Sequence, residues 1–271
     1  MKKAKMNPVC LLSGFICVSV FAALYIVPIG LNFYYSLADS SFSGQASGLS
    51  GFLSVLRNKN FLTALGNSSV VMLLTVGGGM ILSGLIAFLL FQYGSRVYFS
   101  LAVLNLPLFI PSCAVTALWQ FVFKTSAFCS DGTAYTALLT LFFWKYSGIG
   151  ATILYIGAKS MDRSVSEAAE VDGAGNARKF LCIMLPNLIE YILLSLAVLL
   201  MYFLQLHKEC YLLFGAYPCT CMYQVQHYIS NNFNKLNYRN AAAGSVMITI
   251  FSVTVCLILF AVIKRRAGEK Q

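Results

Sequence analysis

The chain has 271 residues, of which 59% are apolar and only 10% charged, with a formal net charge of +10. A soluble domain carries charge on about a quarter of its residues, so lipid is the solvent for most of this chain. The cations fall in short runs beside apolar stretches, with no basic face studded by aromatics, which argues against a nucleic-acid partner and makes them topology signals.

The first apolar stretch, about 9–29, lies behind Lys2, Lys3 and Lys5. It is too long for a signal-peptide core and lacks a small-residue cleavage site, so it reads as an uncleaved anchor. A polar segment through Asn60 precedes a second span at about 68–91, which contains Gly77, Gly78, Gly79 and Gly84. Small residues there serve either close helix packing or a hinge. The third span, about 98–123, must be kinked or interrupted at Pro107 and Pro111, because each removes a backbone donor. The fourth runs at about 134–156, and a hydrophilic stretch, 159–186, separates it from the fifth at about 188–206. A polar, aromatic loop covers His207–Asn240, and the sixth span is about 241–263. Each has roughly the 20 residues needed to cross the hydrocarbon. The expectation is an all-α integral membrane protein, one transmembrane domain over 1–271 in contact with membrane lipid.

Orientation follows from the cations. With the N-terminus inside, the inner segments hold Lys2, Lys3, Lys5, Arg96, Lys159, Arg163, Arg178, Lys179, Lys264, Arg265, Arg266 and Lys270. The outer segments hold only Arg57, Lys59, Lys124, Lys208, Lys235 and Arg239, so both termini are expected in the cytosol. Of nine cysteines, Cys129, Cys210, Cys219 and Cys221 are expected in outer loops. A disulfide among them is open, with a pairing the sequence does not give, and their spacing fits no zinc pattern, so no metal is expected.

The inner stretch 159–186 has the most defined local pattern. Ser164 followed by Glu167 is a capping box that starts a helix. Gly173 is placed to end it, Gly175 and Asn176 allow a turn, and a second amphipathic piece ends at Pro186. Local physics thus predicts a helix–turn–helix at the inner membrane surface.

Glu167, Ala168 and Ala169, then Gly173 six positions after the glutamate, then Ile183, Leu185 and Pro186 resemble the signature loop of binding-protein-dependent ABC import permeases. The proline usual shortly before the glutamate is absent, with Arg163 and Ser164 in that place. The stretches PIGLNFYYSL, FWKYSGIGATILYIGAKSMD, ECYLLFGAYP and MYQVQHYISNNFNKLNY are similar to carbohydrate permeases of the maltose and glycerol-3-phosphate type. The resemblance implies a type I importer permease fold in a bacterial inner or plasma membrane, with 159–186 forming cytoplasmic coupling helices. It implies a second permease subunit, two cytoplasmic ATPase subunits, and an extracellular or periplasmic solute-binding protein. The implied substrate is a sugar or oligosaccharide.

The chain contains no Gly-Lys dipeptide and hence no P-loop, so ATP and magnesium are expected on the partner ATPase, and no enzyme activity or cofactor is expected here. His207 and His227 read as solvated loop histidines. Two ionisable groups fall within spans. Glu190 is near the edge of the fifth, where its carboxylate can reach water; Lys145, central in the fourth, should face a cavity or an acidic partner. Trp144, Lys145 and Tyr146 suit a sugar's apolar face and hydroxyl rim, and Trp119, Gln120, Tyr202 and Gln205 are further candidates for the substrate path. The alternative function, an ion-coupled secondary transporter, calls for in-span carboxylates in two related halves, and no internal repeat is visible.

Overall fold

A computed structural model describes residues 8–38, 48–93, 96–125, 130–160 and 188–268. Those residues are helical nearly throughout. α1 (Pro8–Phe21) passes through a π-helical turn (Ala22–Ile26) into α2 (Val27–Leu37), and a short α3 (Ser50–Leu56) precedes α4 (Lys59–Met72). A second π turn (Leu73–Gly77) joins α4 to α5 (Gly78–Tyr93). Then come α6 (Val97–Asn105), α7 (Ser112–Phe123), α8 (Asp131–Ser160), α9 (Ile189–Gln205), α10 (His207–Phe214), α11 (Val225–Asn234) and α12 (Tyr238–Gly268).

Five stretches are long and apolar enough to cross a bilayer: Ser13–Leu37, Lys59–Gln92, Asp131–Ser160, Ile189–Phe214 and Tyr238–Val262. A sixth is the bent pair Val97–Phe109 and Ser112–Phe123, whose axes meet at 90°. The two prolines explain the bend. Pro107 starts a 3-10 turn at Leu106–Phe109, and the extended Pro111 (ψ 138°) sets the direction of α7.

Several helices outrun their apolar stretches. The second span starts at Lys59 rather than near Ser68, and the fifth continues beyond Leu206 through α10 to Phe214. The segment expected as a loop from His207 to Asn240 therefore contains α10, α11 and the start of α12.

The chain forms two compact units. One comprises Met1–Leu62 with Tyr228–Phe251. Here Ser54 Oγ bonds Asn240 Oδ1 at 3.1 Å, Phe61 meets the Tyr228 ring edge-on with centroids 5.2 Å apart, and Arg239 donates to the Ser50 hydroxyl. Gly51 is required where it stands: a Cβ there would lie 2.9 Å from the Ser36 carbonyl oxygen.

The other unit, Thr63–His227 with Ser252–Gln271, is built around α8. Leu138, Leu141, Phe142 and Tyr146 of α8 join Val71, Val115, Leu199, Leu213 and Met222 in one buried cluster. With no hydrophobic drive between helices in lipid, close approach and buried hydrogen bonds hold such a bundle. Gly148 permits the closest approach, since a Cβ there would sit 2.3 Å from the Leu104 carbonyl oxygen. Ser83 Oγ donates to the Ser147 carbonyl at 3.0 Å, and Asn105 Nδ2 donates to Thr152 Oγ1 at 2.8 Å, tying α5 and α6 to α8. Of the glycine run in the second span, Gly78 and Gly79 face the Phe143 and Phe142 rings, while Gly77 and Gly84 meet open space.

Candidate functional site

Lys145 lies midway along α8, where its neighbours on the core face are Leu141, Phe142 and Tyr146. Its side chain is 6% exposed, and an unpaired ammonium there would be costly. The acidic partner is Glu209 of α10: Lys145 Nζ stands 2.9 Å from Glu209 Oε1, and the Glu209 side chain is fully buried. The same oxygen accepts from Ser112 Oγ of α7 at 2.7 Å and from the Tyr146 hydroxyl at 3.1 Å. Lys145 also donates to Ser112 Oγ at 3.0 Å and lies 5.5 Å from the centre of the Tyr146 ring. One carboxylate oxygen therefore gathers three helices, while Oε2 is buried with no hydrogen-bond partner.

Two aromatic contacts lie on the same helices. Tyr146 stacks on Tyr202 of α9, with centroids 4.4 Å apart and planes at 21°. Trp119 of α7 packs on Trp144 of α8 at 5.1 Å and donates from Nε1 to Thr140 Oγ1 at 3.2 Å. Trp144 remains 42% exposed, an indole held on one side and open on the other. Gln120 Nε2 donates to the Leu212 carbonyl at 2.7 Å, joining α7 to α10. Six of the seven path candidates thus make contacts among α7, α8, α9 and α10. Gln205, exposed at the end of α9, lies outside these contacts.

Glu209 and Ser112 were not singled out from the sequence. Glu209 follows His207 and Lys208, and that polar run looks like the end of a span. The usable signal was electrostatic: a lysine inside a span needs an acid, and the chain has only nine to choose from. Cys210 is fully buried within α10 rather than in an outer loop, because α10 extends the span. His207 and His227 are not solvated loop residues: their rings meet edge-on at 4.6 Å, His227 is fully buried, and its Nδ1 accepts the Gln224 backbone N–H at 3.3 Å. Glu190 is half-buried in the first turn of α9, where the helix dipole favours an acid. Glu167, Ala168, Ala169, Gly173, Ile183, Leu185 and Pro186 lie outside the described residues, as does Cys129.

The family model for binding-protein-dependent transport system inner membrane components matches residues 79–266. Among similar proteins, the sulfoquinovosyl glycerol transport system permease SmoG of Agrobacterium fabrum is 32% identical over 48% of this chain and 42% of its own length. The sn-glycerol-3-phosphate transport system permease UgpA of Yersinia enterocolitica is 24% identical over 92% of this chain and 91% of its own length. The fold is that of a bacterial ABC transporter involved in alginate import, with a TM-score of 0.79 at 17% identity, covering 94% of this chain and 95% of that one. A helical bundle with several bilayer-length spans, matched by the family model over most of its length, makes this multi-pass membrane protein a transport subunit rather than an enzyme, and it belongs to the family of binding-protein-dependent transport system inner membrane components.

Proposed function

We propose that this chain is one of two permease subunits in an ATP-driven importer for a sugar, oligosaccharide or sugar derivative. The observation that carries the reading is the likeness to a glycerol-3-phosphate permease, which runs nearly end to end in both proteins. The other partners are a second, different permease chain, two cytoplasmic ATPase subunits that hold ATP and magnesium, and a solute-binding protein outside the cell. The complex sits in a bacterial inner or plasma membrane with both termini of this chain in the cytosol. The substrate path runs beside Trp119, Trp144 and Tyr202, whose rings offer flat apolar surface to a sugar face. Lys145 and Glu209 neutralise each other behind that surface, so the path meets aromatic rings and hydrogen-bonding groups instead of a bare charge.

Glu167 to Gly173 transmits the ATPase motion into the spans. The sequence pattern supports this role: small alanines beside Glu167 suit a segment that enters a partner's cleft, and Gly173 supplies the residue type that takes a left-handed turn without the cost of about 1 kcal/mol or more that a Cβ brings. The test is a reconstituted complex carrying Glu167→Lys or Gly173→Val. Both variants assemble in the membrane, and ATPase stimulation by loaded binding protein falls at least about tenfold, which is a coupling loss of about 1.4 kcal/mol. Wild-type uptake in both variants would place the coupling elsewhere.

A further inference from the structure

From the geometry around Cys219 and Cys221 we infer that these thiols and the Asp131 carboxylate form a binding site for a thiophilic divalent cation of the zinc class, at the start of α8. The ligand atoms of all three lie within 4.8 Å of one another. The two sulfurs are 3.4 Å apart, far beyond the bonded distance of about 2.0 Å. Two thiolates sharing one tetrahedral zinc at about 2.3 Å stand about 3.8 Å apart, so a cation could enter with a shift of a few tenths of an ångström. Two soft sulfurs with one hard oxygen suit zinc better than copper(I), which favours an all-sulfur set.

The site is built by parts of the chain that do not need a metal to hold them. Cys219 leads into a single 3-10 turn, Thr220–Met222, closed by the Met222 N–H on the Cys219 carbonyl at 2.9 Å. Met222 is fully buried in the α8 cluster and pins the turn from below. Asn67 Nδ2 donates to the Thr220 and Tyr223 carbonyls and pins it from the side. On the facing side Ser130 Oγ accepts the Thr133 N–H at 3.3 Å, capping α8. Asp131 is therefore not needed as the cap and stands exposed beside the thiols. The spacing of Cys219 and Cys221 resembles no zinc pattern because the third ligand comes from 88 positions earlier in the chain. Bound there, a cation would clip the turn following α10 to the start of α8, the two helices that carry Glu209 and Lys145.

The test uses the full chain, purified in detergent under anaerobic reducing conditions, with cobalt(II) as the probe. One cobalt per chain, with thiolate-to-cobalt charge-transfer absorption and displacement by zinc, is expected. Cys219→Ser and Cys221→Ser abolish that absorption, and Cys256→Ser leaves it intact. Asp131→Asn weakens cobalt binding at least about tenfold, since even residues behind the ligands are worth roughly 10–100-fold. That change falls at an exposed helix start, so it keeps the test decisive should either serine variant fail to fold. The inference is overturned if the wild type shows no cobalt–thiolate absorption, if the absorption survives in both serine variants, or if Cys219 and Cys221 are recovered as a disulfide.

Discussion

Lys145 and Glu209 are 64 positions apart, yet each determines what the other costs the fold. A buried ion pair adds little stability over a well-packed apolar pair, but removing one partner leaves a naked charge and costs about 3–5 kcal/mol. Lys145→Met or Glu209→Leu alone should therefore lower detergent-solubilised stability by that amount. The double variant should recover more than half of the summed loss, because both charges leave together. Thermal unfolding of the four proteins measures this, and strict additivity would show that the two groups do not interact. Ser112 and the Tyr146 hydroxyl lose their shared acceptor in either Glu209 variant, so recovery should stop short of complete. The sequence marks Lys145 as a charge needing a partner, but not which acid supplies it. That choice is made when α10 continues the fifth span and carries Glu209 to the level of α8.

At the scale of elements, composition locates the spans, and the prolines correctly foretell the break between α6 and α7. What composition misses is helix built from polar residues. α11, which carries Gln226, His227, Ser230, Asn231 and Asn232, shows no apolar run, and its fold depends on tertiary partners. His227 shows the consequence. Burial, and then the nearby His207, push its pKa down to about 3. His207, Tyr211 and Tyr223 surround its ring, and no carboxylate is among them to favour the charged form. An unfolded histidine titrates near about 6.5, so the stabilising contribution is complete above that pH. As pH falls, the unfolded chain takes up the proton first, and stability declines from about 6.5 toward 3. Between pH 6.5 and 5 this amounts to about 2 kcal/mol. The His227→Asn variant, which keeps an acceptor for the Gln224 N–H, should flatten the pH dependence of the melting temperature across that interval. An unchanged slope would mean that His227 keeps an ordinary pKa in the folded protein.

At the scale of the whole molecule, the family was legible in one contiguous loop, because Glu167 to Pro186 matches at fixed offsets that require no knowledge of the fold. The likeness over residues 79–266 agrees with that reading, although the loop residues themselves lie outside the described structure. The aromatic and ionic cluster was legible only in part. Trp144, Lys145 and Tyr146 are neighbours in sequence, whereas Trp119, Tyr202 and Glu209 come together only through bundle packing. Orientation rests on the cation asymmetry: reporter fusions after Gly175 and after Gln271 should report a cytosolic location, and one within 231–234 an external one. An external report at Gly175 would reverse the topology.

On the proposed function, transport through this chain is driven by ATP and fed by a binding protein. The most direct measurement is uptake of labelled sugar into proteoliposomes holding this chain, its partner permease and their ATPase. Uptake should require ATP on the ATPase side and loaded binding protein on the other, and should persist when ionophores collapse every ion gradient. Uptake driven by an imposed ion gradient without ATP would make the protein an ion-coupled transporter instead.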